Sequence, residues 1–141
     1  MITQLLAARS GRITPAIEKA AEEEKASAET VRDEIASGRA VLPANPAHRN
    51  LRPAVAGRRF RTKVNANIGF SPERSSLDEE IRKLSVALNA GADFVMDLSV
   101  GPDLGDIRKA ILAACPVALG TVPVYEALAR LNGRSADLSA S

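Results

Sequence analysis

Between Arg61 and Asn132 the sequence alternates a strand pattern with a helix pattern three times, and this alternation limits the fold more than any other feature. Residues 61–67, RTKVNAN, favour a strand. At 76–79 the tetrad SLDE starts a helix, with Ser76 and Glu79 placed as a capping box. Leu77, Ile81, Leu84 and Leu88 then fall on one helical face, and Gly91 is a natural stop. Residues 93–98, DFVMDL, form the next strand pattern. Asp103 is placed to cap a helix carrying Leu104, Ile107 and Ile111, and Pro116 lies just past its end. Residues 117–121, VALGT, read as a third strand. Thr121 or Val122 opens a last helix through Leu128 and Leu131, stopped by Gly133. Alternation with short connections implies parallel strands joined by right-handed crossovers. Three such units cannot close an eight-stranded barrel. They form a small open sheet or the first segment of a larger one. Parallel sheets need cover on both faces, and three helices fall short of that.

The chain before this region has a different character. Thr14-Pro15 fits an N-cap followed by proline at the first helical position, with the helix running to about Lys25. Ser27 can cap a second helix, in which Val31 and Ile35 share a face, and Gly38 ends it. Residues 43–57 hold Pro43, Pro46 and Pro53 with Asn45 and Asn50, so irregular structure is expected. His48 within it reads as polar surface. The run Arg58-Arg59-Phe60-Arg61 reads as a solvated strand entrance, with an anion-binding edge as the alternative. The expected organisation is a helical region with a proline-rich connection over 1–57, an α/β part over 58–133, and a frayed polar tail over 134–141.

Composition excludes several classes of function. Aromatic residues make up 3% of the chain and tryptophan is absent, so the core is aliphatic and little is available to stack bases. The net charge of +2 is spread without a basic block, so no nucleic-acid partner is expected. Cys115 stands alone, too few for a disulfide framework or an iron–sulfur site. The N-terminus lacks a signal-peptide pattern and no apolar run approaches a membrane span, so a cytoplasmic protein without a membrane partner is expected. There is no H-x-x-x-H, C-x-x-C, P-loop or G-x-G-x-x-G, and one histidine makes a Ser/His/Asp set implausible.

In parallel α/β folds ligands bind at the C-terminal ends of strands and on the loops that follow. Here those ends hold Asn65, Asn67 and Gly69, then Met96, Asp97 and Ser99, then Gly120, Thr121 and, one turn further on, Tyr125. Asparagine is depleted in strands, so Asn67 breaks a local rule where a site is expected. Each residue has a structural alternative. Asn67 can close the strand on nearby backbone, Met96 can be core, Asp97 can cap or pair with an arginine, and Tyr125 can be surface. Gly69 and Gly101 suit turns, and Gly101-Pro102 before a helix can also face a phosphate.

These residues carry a family resemblance. GRAVLPAN (38–45), KVNANIG (63–69), ADFVMDLS (92–99) and GTVPVYEAL (120–128) resemble the phosphomethylpyrimidine synthase (ThiC) family of thiamine biosynthesis. ITPAIEKAAEEE and VRDEIASGRAV are also similar to its N-terminal region, so the resemblance runs from Thr3 to about Leu138. It implies the first three βα units of a (β/α)8 barrel, preceded by a small N-terminal helical region, in a homodimer. It implies a radical enzyme using a [4Fe-4S] cluster, S-adenosylmethionine and a divalent metal, zinc or iron. Aminoimidazole ribonucleotide would become hydroxymethylpyrimidine phosphate, with formate and carbon monoxide among the products. The substrate contacts carried over are Asn67, Met96 and Tyr125, and Met96 follows Asn67 at the spacing by which Tyr125 follows Met96. Equal steps suit successive units returning to one rim. No catalytic or metal-ligating residue is carried over, because the family's cluster cysteines and metal histidines match nothing in these residues.

The chain departs from the family pattern at Phe70, at Val100-Gly101 and in PANPAHRN. The resemblance leads to the expectation that these 141 residues alone are inactive and bind nucleotide weakly at most. A 5-hydroxybenzimidazole synthase paralogue shares the same segments and the same starting ribonucleotide. A non-catalytic relic or interaction module is the alternative of a different class.

Overall fold

Side-chain caps set the helices of the N-terminal part. In the computed structural model, which describes residues 2–71, 73, 76–101 and 104–138, Thr3, Thr14 and Ser27 each accept a backbone N–H three residues on, from Leu6, Ile17 and Thr30. They open α1 (Gln4–Arg9), α2 (Pro15–Glu24) and α3 (Ala28–Ala36). The sequence pattern anticipates α2 and α3 and misses α1, whose six residues are too few for a helical period to show. Gly38, at φ +76°, lets the chain turn out of α3. Residues 40–41 and 56–57 carry no strand signal, yet β1 (Ala40–Val41) pairs antiparallel with β2 (Ala56–Gly57). A two-residue strand has no alternation to recognise.

By contacts the chain divides into two units, Met1–Val64 with Pro116–Ala118, and Asn65–Cys115 with Leu119–Ser141. The first unit buries Ile17, Ala20, Ala21, Val31, Ile35 and Val55 in a shared core. Val31 and Ile35 therefore share the buried face that their spacing predicts. Phe60 also packs on this core, so the Arg58–Arg61 run is not a strand entrance; it is a turn pinned by its aromatic. His48 corrects a second expectation. It is buried, with its N–H donating to the Asn45 carbonyl and its own carbonyl accepting from Leu51.

The strand expected to start at Arg61 starts at Asn65 instead. Glu24 is the reason. Its Oε2 accepts the Arg61 N–H at 2.8 Å and its Oε1 pairs with Lys63 Nζ at 2.6 Å, with both side chains about 5% exposed or less. Lys63 also donates to the Arg61 carbonyl. The backbone of 61–63 is thus held on α2 and is unavailable to a ladder.

β3 (Asn65–Ile68) runs parallel to β4 (Phe94–Asp97), and the sheet order places β5 (Ala118–Thr121) on the far side of β4. The helices α4 (Leu77–Asn89), α5 (Gly105–Ala114) and α6 (Pro123–Arg130) follow the strands in turn. The predicted capping box forms: Ser76 Oγ accepts the Glu79 N–H while Glu79 Oε2 accepts the Ser76 N–H. Gly91 and Gly133 adopt positive φ after their helices. The cap expected from Asp103 lies outside the described residues. The apolar face of α4 is rotated from the expected one. Leu84 is buried as predicted, but Leu77 is 38% exposed and Glu80 takes the buried place. A single 3-10 turn, Ser135–Asp137, closes the described chain. The architecture is mixed α/β, with N-terminal helices and a small parallel sheet.

Between α5 and α6, burial pushes the Glu126 carboxyl up, and hydrogen bonds from Arg130 (2.6 Å) and Arg108 outweigh it, leaving the group below its ordinary value. Glu34 is held below its ordinary value chiefly by the hydrogen bond from Arg39, whose Nη2 lies 2.9 Å from Oε1.

Two outcomes follow for stability. Lys63→Met leaves the Glu24 carboxylate buried without its cation, so urea unfolding should show a loss of about 3–5 kcal/mol, whereas the joint change with Glu24→Leu restores most of it. Glu34 has a folded pKa below its unfolded one, so its stabilising effect is complete above the ordinary carboxylate value of 4.5 and is lost as pH falls through the lower folded value. Acid unfolding of Glu34→Gln should lack that component, with its midpoint less sensitive to Arg39→Ala.

Candidate functional site

The register of β3 against β4 makes Asn67 and Met96 direct partners, with Asn65 opposite Phe94 one step earlier on the same face. The other face carries Ile68, Val95 and Asp97, all buried. Asn67 itself is exposed, and its Oδ1 accepts from Asn65 Nδ2 at 2.8 Å. So Asn67 does not close the strand on backbone; the two amides pair, and Asn67 Nδ2 remains its donor end. Met96 is half-buried. A Cβ on Gly120 would stand 3.0 Å from both Sδ and Cε of Met96, so the thioether lies over the Gly120 backbone of β5. Asn67, Met96 and Gly120 thereby span the three strands.

Tyr125 stands on the first turn of α6, 38% exposed, its N–H donating to the Val122 carbonyl. Among the described residues no hydrogen bond joins it to Asn67 or Met96. The structure thus brings together two of the three residues expected at the site. Of the Gly101-Pro102 pair, Pro102 lies outside the described residues.

Behind the exposed face, side chains take over where the ladder ends. Leu98 N–H donates to the Ile68 carbonyl at 2.8 Å, and Val100 N–H to the Phe70 carbonyl at 2.9 Å. Between them Ser99 Oγ accepts the Phe70 N–H at 2.9 Å and donates to Asp97 Oδ1, which also accepts the Ser99 N–H. Asp97 therefore caps its own loop rather than pairing with an arginine. On the α4 side Glu80, fully buried, accepts the Gly69 N–H at 3.0 Å and pairs with Lys83, which donates to the Gly69 carbonyl at 3.2 Å. Gly69 has to be glycine, since a Cβ would lie 2.9 Å from the Leu98 carbonyl carbon. A groove of about 700 Å³ runs alongside, lined by Asn67, Gly69, Ser71, Arg82, Lys83 and Val86 among others. Sequence reasoning missed Glu80 and Lys83 because charged residues on a helix read as its solvent face. The available signal was spacing: Glu80 precedes Leu84 by one turn, inside the apolar stripe.

An iron–sulfur cluster needs several thiolates. This chain has one cysteine, Cys115, fully buried at the end of α5, so the residues present do not fit such a group. No set of three histidine, cysteine or acidic side chains able to hold a metal ion occurs among the described residues. No described helix is long and apolar enough to cross a membrane.

Polar side chains gathered at the strand ends of a parallel α/β unit are the arrangement at which α/β proteins commonly take ligands. A model of the Radical SAM ThiC family matches residues 3–140, and the chain belongs to that family. It is 51% identical over 135 residues to a phosphomethylpyrimidine synthase of Natronomonas pharaonis, covering 96% of this chain and 28% of that relative. The chain thus spans little more than a quarter of the length of the relative it matches.

The tight contacts make a direct test. Gly69→Ala should cost about 1–3 kcal/mol in thermal or urea unfolding, the usual effect of overpacking against backbone. Gly105→Ala places its new methyl in open space, with nothing within 4 Å, and should leave stability unchanged or slightly raised.

Proposed function

We propose that this chain supplies the first βα units of a phosphomethylpyrimidine synthase, the enzyme that converts aminoimidazole ribonucleotide to hydroxymethylpyrimidine phosphate for thiamine. In this reading the chain contributes substrate contacts and not the radical chemistry. The observation that carries it is the direct pairing of Asn67 with Met96 on one face at the C-terminal ends of β3 and β4. Membership of the Radical SAM ThiC family supports the reaction class.

The roles follow from side-chain chemistry. Asn67 Nδ2 donates to an oxygen or ring nitrogen of the ribonucleotide, its Oδ1 being held by Asn65. Met96 lays a soft, polarizable thioether against the flat imidazole. Tyr125 donates its hydroxyl to a sugar or phosphate oxygen, which requires α6 to bring it to the same ligand. A cluster and S-adenosylmethionine would supply the radical, and their ligands are not among these residues, so this chain takes no part in that step. The small-molecule partner is the ribonucleotide, and a homodimer is part of the proposal. The 5-hydroxybenzimidazole branch would use the same contacts, and no observation on this chain favours it.

The test is genetic and chemical. A chromosomal Asn67→Ala allele in the source organism should impose a growth requirement relieved by the hydroxymethylpyrimidine. Losing one ligand hydrogen bond should lower kcat/KM about tenfold to a hundredfold. Unchanged growth and pyrimidine synthesis would contradict the reading, and rescue by 5-hydroxybenzimidazole alone would assign the chain to the paralogous branch.

A further inference from the structure

We infer that Glu80 and Lys83 are positioning residues for Asn67, acting through the backbone of Gly69; the inference rests on the ligand-contact role proposed for Asn67. Glu80 is 0% exposed on a helix face otherwise built for apolar packing, one turn before the buried Leu84. An isolated buried carboxylate is strongly unfavourable, and an apolar residue of similar volume usually serves stability as well or better. Packing alone therefore does not explain a glutamate here. Its two oxygens have separate tasks. Oε2 takes the Gly69 N–H, while Oε1 holds Lys83, which returns to the Gly69 carbonyl.

Both backbone polar groups of one residue, on two successive peptide units, are thus held from the same helix. Gly69 is the first residue past β3 and lies two residues after Asn67. The ladder cannot do this work, because the Gly69 N–H has passed the end of the strand. On its other side Gly69 approaches the Leu98–Ser99 backbone too closely for any side chain. The peptide is held between α4 and the end of β4. A strand slip or twist at this point would turn Asn67 away from Met96, since side chains alternate faces along a strand. The Leu98 and Val100 N–H groups hold the carbonyls on either side, of Ile68 and Phe70, and the clamp adds the Gly69 N–H and carbonyl between them. The clamp would give the ligand contact a fixed direction before any ligand arrives, which lowers the ordering cost of binding.

The experiment uses the full chain labelled for NMR. Three quantities are read: melting temperature, hydrogen exchange of the Gly69 N–H, and the side-chain amide resonances of Asn67. The wild type should protect the Gly69 N–H and show one well-dispersed Asn67 amide pair. Glu80→Gln keeps an acceptor, so the Asn67 signals should persist while Gly69 exchange rises about tenfold, as a neutral acceptor replaces a charged one. The paired change Glu80→Leu with Lys83→Met should retain the melting temperature and collapse the Asn67 amide pair toward averaged shifts. An unprotected Gly69 N–H in the wild type overturns the inference, whatever the variants do. So does a folded Leu/Met variant with unaltered Asn67 signals. If that variant does not fold, Glu80→Gln decides: unchanged Gly69 exchange refutes the clamp, and faster exchange with Asn67 retained supports it. None of these readings needs the ribonucleotide, so failure of the clamp and failure of the proposed ligand role are seen separately.

Discussion

Parallel pairing of Asn65–Ile68 with Phe94–Asp97 is the constraint on which the rest of the second unit depends. It forces the chain to cross over through α4, and it sorts the strand residues by face. One face takes Ile68, Val95 and Asp97 into the interior. The other carries Asn65, Asn67 and Met96, where a parallel sheet ordinarily presents Val and Ile on both sides. Amides and a thioether there are a poor choice for burying sheet against helix. The ligand-contact role proposed for Asn67 and Met96 accounts for that choice.

At the ends of these strands side chains take over from the ladder in bonding the backbone. Backbone hydrogen bonding between β3 and β4 continues past both strands through Leu98 and Val100, with Ser99 filling the step between them. Asp97 fixes Ser99, and Glu80 with Lys83 fixes Gly69. Each of these buried side chains meets the backbone where the chain leaves its regular structure. In the first unit Glu24 does similar work, holding 61–63 so that the ladder starts at Asn65.

Much of this was legible in the sequence because the signals are local. SLDE fixes the start of α4, Gly91 and Gly133 mark helix ends, and Val122, one of the two expected openings, is the N-cap of α6. The position of Asn67 and Met96 near strand ends followed from topology, and the two pair across the ladder. What stayed hidden depends on partners far along the chain. Glu24 reaches residues 61–63 from another element, so propensity alone started β3 too early. Glu80 looks like solvent-facing charge until Gly69 is seen beside it. The burial of His48 and the β1–β2 pair arise from how a proline-rich segment folds back, which composition does not encode. Tyr125 was placed by motif, and α6 carries it exposed without a hydrogen bond to the other two among the described residues.

The central claim is that the Asn67–Met96 face receives the ribonucleotide. Methionine is rare enough here to test it directly, since the chain holds two, Met1 and Met96. With the methionine methyls carbon-13 labelled, aminoimidazole ribonucleotide is titrated into the full chain, and the same titration is run on Asn67→Ala. Because these residues are expected to bind the ribonucleotide weakly, the account predicts a small, progressive shift of the Met96 methyl at high ligand concentration, absent from Met1 and lost in the variant. A Met96 methyl that stays fixed while other residues respond, or one that shifts equally without Asn67, would contradict it.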